Sequence, residues 1–167
     1  MSFRHRLWQH LGTSAAVYGT IVYASLIAAT GLHLHDTDPV LPVLTFCAVT
    51  IVVFWLAHIF AVALARHGDD EVTVDSPWAS IKGAVDHSSG MLETSAIMSI
   101  PLVLGSLGIL EPQASIRISL VVGVVTLAVL GYLAFTLRRR EWWIRIVGTI
   151  CTALFGVAII VLEYSLH

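Results

Sequence analysis

The sequence is poor in charge: only 12% of its 167 residues are charged, whereas 57% are hydrophobic. A typical soluble domain carries about 25% charged residues. So few charges do not solvate the surface of a water-soluble domain of this length, and we expect an integral membrane protein in contact with the lipid bilayer. The formal net charge of −2 also lacks the basic excess that binds nucleic acid, so no nucleic-acid partner is expected.

Cysteine is scarce as well. The two cysteines are Cys47 and Cys151, and each lies inside an apolar run. Thiols in such positions are typical of small packing residues rather than of a disulfide framework. The sequence also lacks a P-loop, a nucleophile elbow, a dinucleotide-binding glycine motif and an HExxH zinc helix. An enzyme is therefore not the favoured interpretation, and the sequence assigns no cofactor.

Long apolar runs dominate what is present. Because about 20 mainly apolar residues span the hydrocarbon core as a helix, we predict an all-α bundle of about five transmembrane helices in a single domain over residues 1–167. The predicted spans lie near residues 11–33, 40–65, 91–110, 115–137 and 142–165. The first run is longer than the apolar region of a signal peptide, about 7–15 residues, so we expect it to be a span rather than a removed leader.

The segment 77–90 precedes the third predicted span. It opens with a proline, which is favoured at the first position of a helix. Three of its apolar residues share one helical face: Trp78, Ile81 and Val85. This pattern predicts a short helix lying at the membrane surface that bends into the third span at Gly90. A single long helix over residues 77–110 is the alternative.

Lysine and arginine are distributed unevenly between the two sides of this topology. With five spans and a cytoplasmic N-terminus, eight of the nine basic residues lie on the inner side, and Arg117 alone lies on the outer side. Cytoplasmic loops of membrane proteins carry an excess of Lys and Arg. We therefore expect a multi-pass protein of the cell membrane with its N-terminus in the cytoplasm and its C-terminus outside.

Only two candidate ionisable residues lie clearly within the predicted spans, where a charged group costs about 2.5–3.5 kcal/mol on insertion scales. His58 lies in the second span, and Glu93 lies a few residues into the third. Because consecutive spans are usually neighbours, we expect these side chains to meet. Histidine titrates near neutral pH, so a His58–Glu93 pair suits a proton relay or a pH gate. The alternative is a neutral, hydrogen-bonded His58 and a protonated or interfacial Glu93.

Smaller polar residues accompany this pair. Thr50 shares a helical face with His58, Tyr18 lies on a polar face of the first span, and Ser99 follows Glu93 in the third. We expect Tyr18, Thr50 and Ser99 to line an ion path with the pair. Ordinary interhelical hydrogen bonds, worth about 0.6 kcal/mol each in membranes, are the alternative.

The first outer loop contains a second, weaker candidate site. Its imidazole and carboxylate side chains are ligands that divalent cations accept: His33, His35, Asp36 and Asp38. A solvated polar turn without a metal is the alternative interpretation of this loop.

Small residues recur at spacings of four or eight along the last two predicted spans. Such spacing lets helix backbones approach closely, either within one chain or between copies. The residues concerned are Gly123, Gly131, Gly148, Thr152 and Gly156. We expect them to form packing faces.

Three functions are compatible with these features. The favoured one is a small homo-oligomeric channel or transporter for protons or small cations, gated or coupled through His58 and Glu93, since five short spans leave one copy little room for a pore and cyclic oligomers are common. The second is a non-catalytic subunit or assembly protein of a larger membrane complex, with another membrane protein as partner. The third is an intramembrane enzyme that acts on lipid or quinone with His58 and Glu93 as acid and base.

Overall fold

The computed structural model describes residues 14–31, 38–67, 77–137 and 142–165. Over these ranges the chain forms five α-helices and no β-strand, which confirms the all-α prediction. The helices are α1 (Ser14–Gly31), α2 (Leu41–His67), α3 (Pro77–Ser106), α4 (Pro112–Leu137) and α5 (Trp142–Ser165).

Proline and glycine set several helix boundaries. Pro42 lies in the first turn of α2 and Pro112 is the first residue of α4, positions where the missing N–H removes no helical hydrogen bond. Helix α3 ends in a turn where Gly108 has a φ of 73°, a left-handed conformation that glycine adopts without strain. The N–H of Gly108 donates to the carbonyl of Gly105 over 3.0 Å. This turn leads the chain directly into α4.

Helix α3 is continuous from Pro77 to Ser106, so the predicted surface helix at 77–90 is not a separate element. The structure has instead the single long helix of the alternative prediction, although this helix ends at Ser106 and not at residue 110. Gly90 does not break the helix, because a mid-helix glycine costs only about 1 kcal/mol relative to alanine. Its neighbour Met91 is fully buried, and burying a side chain of that size offsets about 1.5–3 kcal/mol.

Helix α1 lies at the centre of the bundle. It packs against each of the other four helices, whereas α2, α3, α4 and α5 pack against one another in chain order. The buried cluster at the centre is built mainly from α1 to α4. Its largest side chains are wholly shielded from solvent: Tyr23, Ile27, Met91, Met98 and Leu102.

The exterior of the bundle is apolar. Three helices, α1, α2 and α4, are long and apolar enough to cross a membrane. The outward face of α2 illustrates the surface, with five large exposed side chains: Phe46, Val49, Val53, Phe60 and Leu64. A contiguous apolar exterior of this extent indicates contact with lipid or with another protein.

Candidate functional site

His58 lies on the side of α2 that faces the bundle. It continues the stripe of buried residues formed by Cys47 and Ile51, which lie eleven and seven residues earlier on the same helical face. The imidazole is nearly parallel to the ring of Tyr18 on α1, with 6.3 Å between ring centroids and 21° between ring planes. Its Nε2 atom is shielded from solvent and has no hydrogen-bond partner among the described residues.

Two more shielded polar atoms lie on α2, the helix that carries His58, and on the neighbouring helix α3. Trp55 is one turn before His58 on α2 and packs against the central cluster, and its Nε1 has no partner in the part of the chain that the structure describes. Ser88 on α3 is 0% exposed. Its hydroxyl likewise makes no hydrogen bond within the described ranges. Buried polar groups are hydrogen-bonded in the great majority of proteins, so these atoms mark an unusual region.

The close packing of α1 and α3 gives the height of Ser88 relative to Tyr18 along the bundle. Gly19, adjacent to Tyr18, faces α3 so closely that an added Cβ would lie 2.8 Å from the Cα of Met91. Ser88 is one turn before Met91, and both are fully buried. Because one turn advances about 5.4 Å, Ser88 lies within about one turn of the Tyr18–His58 stack in height along the bundle. We refer to Tyr18, Trp55, His58 and Ser88 as the α1–α2–α3 junction.

Glu93 is placed differently. It shares a face of α3 with Ile97 and Ile100, four and seven residues later, and these are 42% and 56% exposed. Glu93 itself is half-buried, and its Oε2 is shielded from solvent and has no hydrogen-bond partner among the described residues. Since Nε2 of His58 also has none, these two atoms are not hydrogen-bonded to each other. Coupling between His58 and Glu93 stays a prediction.

The three residues predicted to line the ion path occupy separate environments. Tyr18 stacks on His58 at the junction. The hydroxyl of Thr50 donates to the carbonyl one turn earlier on α2 over 2.7 Å. The hydroxyl of Ser99 donates to the carbonyl of Ser95 over 2.8 Å and is hydrogen-bonded to the phenol of Tyr23 on α1 over 2.5 Å. Ser99 therefore has an interhelical hydrogen bond of the kind that formed the alternative interpretation, whereas the hydrogen bond of Thr50 stays within α2.

Several polar residues inside the bundle are not among those predicted from the sequence. Trp55 was detectable, because it lies three residues before His58 and so shares its face. Ser88 lies in the segment that was assigned to the membrane surface. Ser119 is fully buried on α4, and its hydroxyl donates to the carbonyl of Met98 on α3. Nothing in the sequence distinguishes that serine from an exposed one.

The candidate metal site in the outer loop falls mostly outside the described residues. His33, His35 and Asp36 lie there, whereas Asp38 is described and is half-buried. Within the described ranges, no group of three or more His, Cys, Asp or Glu side chains is arranged to hold a metal ion. The metal-binding hypothesis for the loop stays a prediction.

The predicted packing residues lie at contacts within the chain. An added Cβ at Gly131 would collide with the hydroxyl of Thr152 and approach the carbonyl of Gly148 at 3.0 Å. One at Gly156 would lie 2.9 Å from the side chain of Val124, which also belongs to the α4–α5 interface. Gly123 instead faces the centre, where the methyl group of Met98 would be 2.6 Å from an added Cβ.

The junction contains groups that can move protons but no nucleophile paired with a base. Neutral imidazole carries one N–H and one free nitrogen, a hydroxyl both donates and accepts, and indole only donates. Histidine is also the side chain best suited to proton exchange near neutral pH. No protein-family model, curated protein or solved structure matches this chain.

Proposed function

We propose that the chain is a five-span protein of the cell membrane with a cytoplasmic N-terminus and an external C-terminus. The apolar lengths of α1, α2 and α4 support three crossings. Helix α3 has 30 residues and α5 has 24, which at 1.5 Å per residue exceed the roughly 30 Å of a hydrocarbon core. The concentration of eight basic residues on one side of this topology supports the orientation.

Within that membrane, the protein transports protons or small cations, with His58 as its central titratable group. The observation that carries this proposal is the shielded, unpartnered Nε2 of His58 on a helix apolar enough to span a membrane. Ionisable residues inside spans are rare and usually mark proton or ion pathways. Glu93 on α3, which packs against α2, is the second proton-exchanging group of this proposal.

The exposed apolar side chains that follow Glu93 on α3 support assembly of several copies. Ile97 and Ile100 are 42% and 56% exposed, and a second copy packed on them would bury this apolar surface. The homo-oligomer also provides room for a path that five helices alone leave narrow. Protons then exchange at His58 and at Glu93 in each copy.

Proton flux into liposomes tests this function directly. Purified protein is reconstituted with a pH-sensitive dye inside the vesicles, and a potassium gradient with valinomycin drives uptake. We expect His58→Ala to lower the flux by about a hundredfold or more, the low end of what a positioned proton-transfer group contributes, and Glu93→Gln to lower it less. His87→Ala is the matched control, because that imidazole is exposed on α3. Flux equal to empty liposomes across pH and with several cations contradicts the proposal.

A second candidate function is favoured by the same exposed apolar side chains. A non-catalytic subunit of a larger membrane complex also covers the exposed Ile97 and Ile100, with a different protein as partner. This function predicts co-purification from native membranes with one other membrane protein at fixed stoichiometry. Recovery of the chain as a homomer alone counts against it.

A further inference from the structure

The α1–α2–α3 junction concentrates polar atoms that have no protein partner. Nε1 of Trp55, Nε2 of His58 and Oγ of Ser88 are all shielded and unpartnered within the described ranges. Leaving one such group unsatisfied costs about 1–3 kcal/mol. Three at one junction form a set that a bound species stabilises by completing their hydrogen bonds.

The hydrogen-bonding capacities of the three atoms define that species. The indole N–H donates, the serine hydroxyl donates or accepts, and imidazole Nε2 does either according to its tautomer. All three capacities are met by water, which takes two to four partners in buried sites. A metal ion is a poor fit, because a single imidazole and a hydroxyl provide too few ligands and an indole N–H provides none.

The helices that carry the three residues pack against one another: α1, α2 and α3 are in pairwise contact. Trp55 and His58 are one turn apart on the same face of α2, and Ser88 lies within about one turn of the Tyr18–His58 stack in height along the bundle. The ring of Tyr18, which stacks on the imidazole, is 45% exposed.

We propose that the junction binds internal water held by Trp55, His58 and Ser88. Water binding itself does not depend on the transport function. Its role as the route by which protons reach His58 does rest on that proposed function, since a water bonded to Nε2 exchanges its proton with the imidazole. Ser88 is then a positioning residue that holds the water against His58.

Radiolytic hydroxyl-radical footprinting with mass spectrometry tests this site, because bound water is converted to radicals in place and oxidises side chains that bulk solvent does not reach. We expect Trp55 and His58 to be oxidised at least about twice as fast as Tyr23. Tyr23 is the internal control, since it is fully buried and its hydroxyl is already bonded to Ser99. Labelling of Trp55 and His58 no faster than that of Tyr23 overturns the proposal.

A pair of serine variants tests whether the labelling depends on Ser88. Ser88→Ala should lower labelling at Trp55 and His58 by about twofold, because the site loses one of the two to four hydrogen bonds that hold a buried water. Ser119→Ala is the matched control: this serine is equally buried, but its hydroxyl bonds to the carbonyl of Met98. Equal labelling in the two variants overturns the assignment of Ser88.

Thermal unfolding of the same variants in detergent provides a second measurement. If Ser88 holds a water, Ser88→Ala lowers the unfolding midpoint; if its hydroxyl has no partner at all, removing it raises the midpoint. A raised midpoint contradicts the water site. Labelling without proton flux would overturn the transport function and leave the water site standing, so the two failures are distinguishable.

Discussion

Helices α1 and α2 differ in how much of their apolar surface is buried inside the bundle. In their most apolar stretches, 50% of the residues of α1 are buried inside the bundle but only 11% of those of α2, although α2 is the more apolar helix. In a water-soluble protein the exposed helix is the more polar one. Here the more exposed helix is the more apolar one, which indicates that the outside of this bundle contacts hydrocarbon rather than water.

The polar groups of α1 are accommodated by its central position. The hydroxyl of Thr20 donates to the carbonyl of Ala16 over 2.8 Å, and the phenol of Tyr23 pairs with Ser99 on α3. On α2, in contrast, the outward face carries apolar side chains, and Trp55 and His58 lie on the inner stripe. On such a helix an inward titratable residue is a stronger functional signal than a hydroxyl on α1.

Truncating a core side chain of α1 should produce the largest loss of stability. Ile27 is 0% exposed, so Ile27→Ala is expected to lower the free energy of unfolding by about 2–5 kcal/mol through lost burial and a residual cavity. Leu56→Ala on α2 is the control, because Leu56 is 54% exposed, and its effect should stay within about 0.5 kcal/mol. Denaturant titration in micelles, followed by circular dichroism, measures both. Equal losses of stability in the two variants would contradict the difference in burial between α1 and α2.

Enlarging a glycine of α1 should have the next largest effect. A Cβ at Gly19 would lie 2.8 Å from the backbone of Met91, so Gly19→Val forces α1 and α3 apart and should cost about 1–3 kcal/mol. Ala48→Val on α2 adds volume at an exposed position and should change the free energy of unfolding little. The same titration measures the pair. A tolerated valine at position 19 would contradict the close α1–α3 approach.

Removing a hydroxyl from α1 should have the smallest effect. Tyr23→Phe deletes the hydrogen bond to Ser99, which at membrane values costs about 0.6 kcal/mol. Tyr18→Phe serves as the comparison, because Tyr18 is 45% exposed and its hydroxyl makes no hydrogen bond within the ranges described. We expect no measurable change in the free energy of unfolding for that variant. A larger loss from Tyr18→Phe would show that the phenol, and not only the ring, stabilises the junction.

The positions of the helices followed from the sequence because apolar length is a direct requirement of a spanning helix. The extent of α3 was harder to predict, since Gly90 is a weak helix breaker and the polar residues before it also suit a surface helix. The inward face of α2 was not predictable, because apolar residues surround this helix on all sides. On α3 and α4, the half-buried position of Glu93 and the inward hydroxyls of Ser88 and Ser119 emerged only from the packing.

Oxygen accessibility of spin labels along α2 in proteoliposomes tests the central claim most directly, namely that α2 turns an apolar face to lipid and His58 towards the bundle. Single cysteines carrying nitroxide labels are placed at successive positions from 46 to 64 in a background without Cys47 and Cys151. We predict collision rates with oxygen that oscillate with the helical period, high at positions 49, 53 and 60 and low at 47, 51 and 58. A maximum at position 58, or rates that do not oscillate, would contradict the account.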